Sequence, residues 1–200
     1  MNRRAFTELC GESVYHITAA TNSQSIAQTG LLSAAALAQR ESVDPQTIAL
    51  RAGRLTLSSG AVLNHQKPLL MGRGKDTDFL DGHTLESWAA QLDRRIYFAP
   101  HKKLAALKGS FEIATEIYEI DTAALFDALG AHLWLSPINS GSADRRPVPR
   151  GDWLYTPATA PAEKLRTNRR DRGLVKTRDT VREVSLTCSI PPDVLSTLLR

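Results

Sequence analysis

Cysteine is scarce in this chain. Two residues in 200, Cys10 and Cys188, cannot build a disulfide framework, and whether they pair is not legible from sequence; reduced thiols in a cytoplasmic protein are the expectation. No apolar run is long enough for a membrane-spanning helix, so no membrane partner is expected. The opening Met1-Asn2-Arg3-Arg4-Ala5-Phe6 has two arginines but no apolar stretch behind them, so it does not read as a secretory signal. None of the five histidines (16, 65, 83, 101 and 132) lies four residues from another, and there is no Cys-x-x-Cys pair. A metal site is therefore not expected. Gly72-Arg73-Gly74-Lys75-Asp76 lacks the full spacing of a phosphate loop and reads as a flexible loop. A Gly-x-Ser-x-Gly elbow for a serine nucleophile is absent, as are internal repeats.

What is present is an ordinary globular composition, 42% hydrophobic and 23% charged, which argues against global disorder. The length fits one domain, residues 1–200. The net charge of +4 is unevenly placed. Residues 145–182 hold eleven lysines and arginines against four acids, a net +7, which leaves the rest of the chain at −3. Such asymmetry suits a polyanion partner, with Arg145, Arg146, Arg150, Arg169 and Arg170 as candidate nucleic-acid contacts. The alternative is a solvated, mobile basic segment at about 142–180, broken by Pro147, Pro149, Pro157 and Pro161.

The pattern of elements predicts an α+β fold. Val14 to Thr18 is rich in β-formers and reads as a strand. Thr21 or Asn22 is placed to cap a short helix that Gly30 stops, and Ala34 to Arg40 reads as a second helix. Residues 43–76 read as turns and loops. Thr84 to Leu92 has helical spacing, with Leu85, Trp88, Ala89 and Leu92 on one face. Strands are expected over Arg95–Phe98, towards the end of Phe111–Ile120, over Leu133–Leu135 and over Val181–Ile190. Helices are expected over His101–Lys108, over Ala123–Leu129 behind an Asp121 or Thr122 cap, and over Asp193–Leu199. Ser136 to Ser142 is turn-rich.

By residue type alone, a strand histidine such as His16 is more often structural than ligand-binding. Its setting adds Thr18, Asn22 and Gly30-Leu31-Leu32, which gathers hydrogen-bonding groups at one strand end. Tyr15-His16-Ile17-Thr18, Asn22 and Gly30-Leu31-Leu32 together resemble the opening motif of the ADP-ribosyltransferase fold, particularly the DarT-type toxins that modify DNA. Tyr97-Phe98 after Arg95 is similar to their central aromatic strand. Glu183-Val184-Ser185-Leu186, followed by Ile190-Pro191, is similar to their terminal strand with its catalytic glutamate. An uncharacterised bacterial family of the same presumed fold shares the loop Leu135-Ser136-Pro137-Ile138-Asn139-Ser140-Gly141 and the Arg150-Gly151 that follows.

The resemblance implies split mixed sheets flanked by helices and a NAD⁺-consuming transferase with no metal. It implies that His16 binds a ribose hydroxyl of NAD⁺, that Thr18 and Asn22 hold the nicotinamide half or a nearby phosphate, and that Tyr97 stacks on nicotinamide. Leu31 falls in the same motif. Glu183 would bind the ribose and stabilise the cationic sugar. Those toxins carry an arginine past the aromatic strand; here that position falls near His101-Lys102-Lys103, so His101 is the candidate, with Arg51, Arg54 or Arg95 as substitutes. A nucleic-acid acceptor and an antitoxin protein are the implied partners. Two other readings stand beside this one: a NAD-dependent RNA 2′-phosphotransferase-like enzyme and a non-catalytic nucleic-acid-binding module. Glu183 itself alternates with Val184 and Leu186, so it faces either a cleft or solvent, where it would pair with Arg182.

Overall fold

The structure, a computed structural model, describes residues 1–70, 78–100, 109, 111–143 and 148–200. The helix expected over His101–Lys108 and the Gly72–Asp76 loop lie outside the described residues. The helices are α1 Arg3–Cys10, α2 Ser23–Thr29, α3 Ala34–Arg40, α4 Pro45–Ile48, α5 Lys67–Leu70, α6 Leu85–Asp93, α7 Thr122–Leu129, α8 Ala162–Arg166 and α9 Pro192–Leu198. The strands are β1 Ser13–Ala19, β2 Leu55–Thr56, β3 Val62–Leu63, β4 Ile96–Pro100, β5 Thr115–Asp121, β6 Leu133–Ser136, β7 Thr156–Pro157 and β8 Glu183–Leu186.

Local chemistry explains most boundaries. Asn2 caps α1 by accepting from the Ala5 amide at 2.9 Å. Thr84 and Ser87 form a reciprocal capping box at the start of α6, and Asp121 caps α7 through the Ala124 amide. These side chains satisfy amides that a helix start otherwise leaves without partners. Gly30 ends α2 at φ 75°, where its missing side chain is essential: a Cβ there would lie 1.9 Å from the Ile190 carbonyl oxygen. That approach lets Leu31 and Ile190 exchange two backbone hydrogen bonds of 2.9 Å.

The six larger-sheet strands run in the order β5-β1-β4-β8-β6-β7, and each neighbouring pair described by its register is antiparallel. The mixed pairing implied by the resemblance is thus replaced by an antiparallel sheet. β2 and β3 form a separate hairpin inside the stretch read from sequence as turns and loops. Among the described residues, seven pairs join β1 to β5, while Val14↔Pro100 and Tyr15↔Ala99 join β1 to β4.

Strand alternation sends side chains to two cores. Ile96, Phe98, Leu133, Leu135, Val184 and Leu186 pack with Phe6, Val14, Leu125 and Leu195. On the opposite face, Tyr97 and Trp134 pack with Trp88, Leu92, Leu154 and Tyr155. The strand expected over Val181–Ile190 forms over Glu183–Leu186. β8 stops at Leu186, and Ile190 bridges to Leu31 instead.

The basic segment also differs from its expectation. From residue 148 onward it packs as β7, α8 and two short 3₁₀ turns, with Ala158, Leu165, Asn168 and Asp179 buried. Apolar side chains spaced among the arginines draw it onto the sheet edge.

Candidate functional site

Glu183 opens β8, where its backbone pairs with Ser136 of β6. Its neighbour Ser185 pairs with Tyr97 on one side and Trp134 on the other. The Glu183 side chain is partly buried. Its Oε1 accepts a 2.6 Å hydrogen bond from the Ser140 hydroxyl. Burial pushes the carboxyl up to about 7; the Ser140 hydroxyl and amide, and the charges of Arg95 and Arg150, pull the other way.

Two tyrosines complete the wall. The Tyr97 and Tyr155 hydroxyls lie 3.4 Å apart. Burial pushes Tyr155 up to about 12 and holds Tyr97 well above the usual phenol range, so both are neutral hydrogen-bonding groups near pH 7. Trp88 stacks on Tyr155 with ring centroids 5.9 Å apart. The Arg95 guanidinium carbon lies 3.8 Å from the Tyr155 ring centroid and 5.5 Å from that of Trp134, and Nη1 donates to Ser185 Oγ at 3.3 Å. Arg95 is thus a cation held by aromatic faces beside the carboxylate.

His16 occupies the other side of the β1–β4 junction, beside Phe98 and Tyr118. Its Nδ1 lies 3.0 Å from the Tyr97 carbonyl oxygen. A carbonyl can only accept, so Nδ1 carries the proton. Burial lowers the imidazole's affinity for a second proton, with the Tyr97 carbonyl opposing. The ring is therefore neutral, and Nε2 is left as an acceptor. His16, Thr18, Asn22 and Leu31 line one pocket of about 40 Å³ with Thr29, Gly30 and Ala61.

The residues picked out in sequence thus form two groups. His16, Thr18 and Leu31 line the pocket; Tyr97 and Glu183 lie on the opposite sheet face. The His16–Tyr97 hydrogen bond joins them through the sheet. Asn22 lines the pocket but is committed to structure: its Nδ2 donates to Thr18 Oγ1 at 2.8 Å and the Val62 carbonyl at 2.9 Å, while its Oδ1 accepts from the Val62 amide at 2.7 Å. It clamps the β2–β3 hairpin to the end of β1 and makes no side-chain cap for α2.

His101, Arg145 and Arg146 lie outside the described residues. Arg150 is corrected: at 2% exposure it is a core residue, not a surface contact for nucleic acid. Arg169 is held by Asp179, donating from Nε to Oδ1 at 2.7 Å, whereas Arg170 is exposed. The sequence marks Ser140 only as part of a turn-rich loop and gives Tyr155 no role. The signal available for Ser140 was the Ser-Pro-Ile-Asn-Ser-Gly run, too dense in turn formers for a plain connection.

Among the described residues, no group of three or more His, Cys, Asp or Glu side chains could hold a metal ion. The chain belongs to DUF7002, a family of unknown function, which it matches over residues 12–198. That match takes in His16, Tyr97, Ser140, Arg150 and Glu183. No curated protein matches the chain. No solved structure matches it either.

Proposed function

We infer that this member of DUF7002 is a NAD⁺-consuming ADP-ribosyltransferase in which Glu183 is the carboxylate beside the reacting ribose. The observation that carries the reading is Glu183 itself: a partly buried carboxylate, bound by Ser140, beside two neutral tyrosines and two arginines. Loss of nicotinamide leaves positive charge on the sugar, and a fixed carboxylate stabilises that charge. A midpoint of about 7 makes the rate rise with pH through neutrality, because the ionised form is the useful one.

Of the remaining groups, Tyr97 shares the Glu183 face, while His16 and Thr18 lie across the sheet from it. Tyr97 supplies an aromatic face for nicotinamide. The His16 pocket, about 40 Å³, is far below the ~300 Å³ of a typical small-molecule cavity. It is too small for a dinucleotide and lies on the face opposite Glu183, so His16 bears on the proposed site through its hydrogen bond to the Tyr97 carbonyl. Arg182, exposed immediately before Glu183, and exposed Arg170, Arg172, Lys176 and Arg178 favour a nucleic-acid acceptor.

The test is thermal unfolding with and without NAD⁺. Ligand at 100 times its Kd stabilises by about 2.7 kcal/mol, which raises Tm by roughly 5–10 °C for a chain of this size. His16→Ala should reduce the shift. No shift at millimolar NAD⁺ contradicts the reading.

A further inference from the structure

The loop Ser136–Ser142 is fastened far more tightly than a connection between strands needs. Ser136 Oγ donates to the Ile138 carbonyl at 2.7 Å, and Asn139 Oδ1 accepts from the Gly141 amide at 3.0 Å. Trp88 Nε1 donates to the Ser140 carbonyl at 3.2 Å. Arg150 then reaches in from outside the loop. Its Nη2 donates to the Asn139 carbonyl at 3.3 Å and to the Ser142 carbonyl, and its Nη1 donates to Val148 at 3.0 Å. These contacts bracket Ser140, which is fully buried and whose hydroxyl meets Glu183.

Arg150 is an expensive way to hold a loop. Among the described residues its guanidinium is buried against carbonyl oxygens, its Nε has no hydrogen-bond partner, and it lies 5.4 Å from the Phe79 ring centroid. Glu183 is a carboxylate whose charge Arg150 feels, yet burying a guanidinium mainly among carbonyl oxygens is costly for stability alone. The backbone around it is fitted closely: Arg150 exchanges hydrogen bonds with Phe79 and Asp81 at 2.7 and 2.6 Å. A Cβ on Gly151 would lie 2.7 Å from the Asp81 carbonyl oxygen. The sequence pair Arg150-Gly151 and the Ser140 loop are therefore one device.

We propose that Ser140 is the positioning residue for the Glu183 carboxylate, and that Arg150 locks the Ser140 loop in the arrangement this requires. The clause that Glu183 acts on a substrate rests on the function proposed above; the positioning does not. Ser140 fixes the carboxylate plane through its hydroxyl and directs its amide at the same group. The other groups facing Glu183 are Arg95 and Arg150, which favour the ionised form, and the phenols of Tyr97 and Tyr155, which stay neutral.

The experiment follows the Glu183 carboxyl by NMR in full-length protein labelled with ¹³C at glutamate side chains, assigned with Glu183→Gln. Wild type, Ser140→Ala, Ser140→Thr and Arg150→Lys are titrated, and nicotinamide release from NAD⁺ is recorded over the same pH range. Ser140→Ala loses a donor to the ionised form, so the midpoint rises by about one pH unit. Release at pH 7 then falls about five-fold and recovers towards the wild-type rate above pH 9. Ser140→Thr restores both, and Arg150→Lys moves the midpoint in the same direction as Ser140→Ala. An unmoved Glu183 midpoint in folded Ser140→Ala overturns the proposal, as does a superimposable pH–rate profile. A shifted midpoint with no nicotinamide release from any variant upholds the positioning and overturns the proposed reaction. The two serine variants decide the matter even if the arginine variant does not fold.

Discussion

Glu183 is held at a cost in stability, and the cost has a pH signature. Its folded midpoint, about 7, lies above the ordinary glutamate value of ~4.3 in an unfolded chain. Between those values the native state binds more protons than the unfolded state, so stability falls as pH rises through the window. The full loss is about 4 kcal/mol and is reached above pH 7. Glu183→Gln keeps an oxygen for the Ser140 hydroxyl and removes the ionisation. It should unfold later than wild type at pH 8, by up to about 4 kcal/mol in denaturant titrations. The advantage should vanish near pH 4. An equal difference at both pH values would mean that Glu183 titrates normally.

At the scale of elements, two contacts tie distant parts of the fold together. One is the β1–β4 junction, where, among the described residues, Val14↔Pro100, Tyr15↔Ala99 and the His16–Tyr97 hydrogen bond join the two parts of the sheet. The other is the Leu31–Ile190 bridge, which ties the end of α2 to the chain after β8. Gly30→Ala places a methyl against the Ile190 carbonyl at a φ of 75°. It should destabilise by roughly 2–5 kcal/mol, read as a shift in the urea midpoint. A change under about 0.5 kcal/mol would show that the bridge is dispensable.

Elements with a local signature were legible in the sequence. β1, the Gly30 stop, the Asp121 cap and the apolar stripe of α6 follow from neighbouring residues alone. Contacts set by tertiary approach were not. Ser140 and Glu183 are 43 residues apart, and neither spacing nor periodicity links them. Arg150 sits in a basic run, where burial is the least expected outcome. Asn22 had the right type for a cap, but the hairpin at Val62 offers its side chain a carbonyl and an amide together.

At the scale of the whole molecule, the exposed cations of the basic segment run from Lys164 to Arg182, which immediately precedes Glu183 in the chain. The +7 read from residues 145–182 already subtracts Asp179, which holds Arg169, and Glu163, which lies within 4.0 Å of Arg166, Arg170 and Arg178. Arg150 is internal. Among the described residues of this segment, exposed Lys164, Arg170, Arg172, Lys176, Arg178 and Arg182 carry the positive charge a polyanion would meet. No helix among them is long and apolar enough to cross a membrane.

The central claim is that Glu183 stabilises a ribosyl cation formed from NAD⁺. Nicotinamide release, followed by chromatography with wild type and Glu183→Gln at pH 8, tests it most directly, with DNA, RNA and protein acceptors added in separate reactions. Wild type should release nicotinamide, and Glu183→Gln should lose at least about a hundred-fold in rate, the scale of one electrostatic contact in a transition state, while remaining folded. Equal release by the two proteins, or none from wild type with any acceptor, contradicts the account.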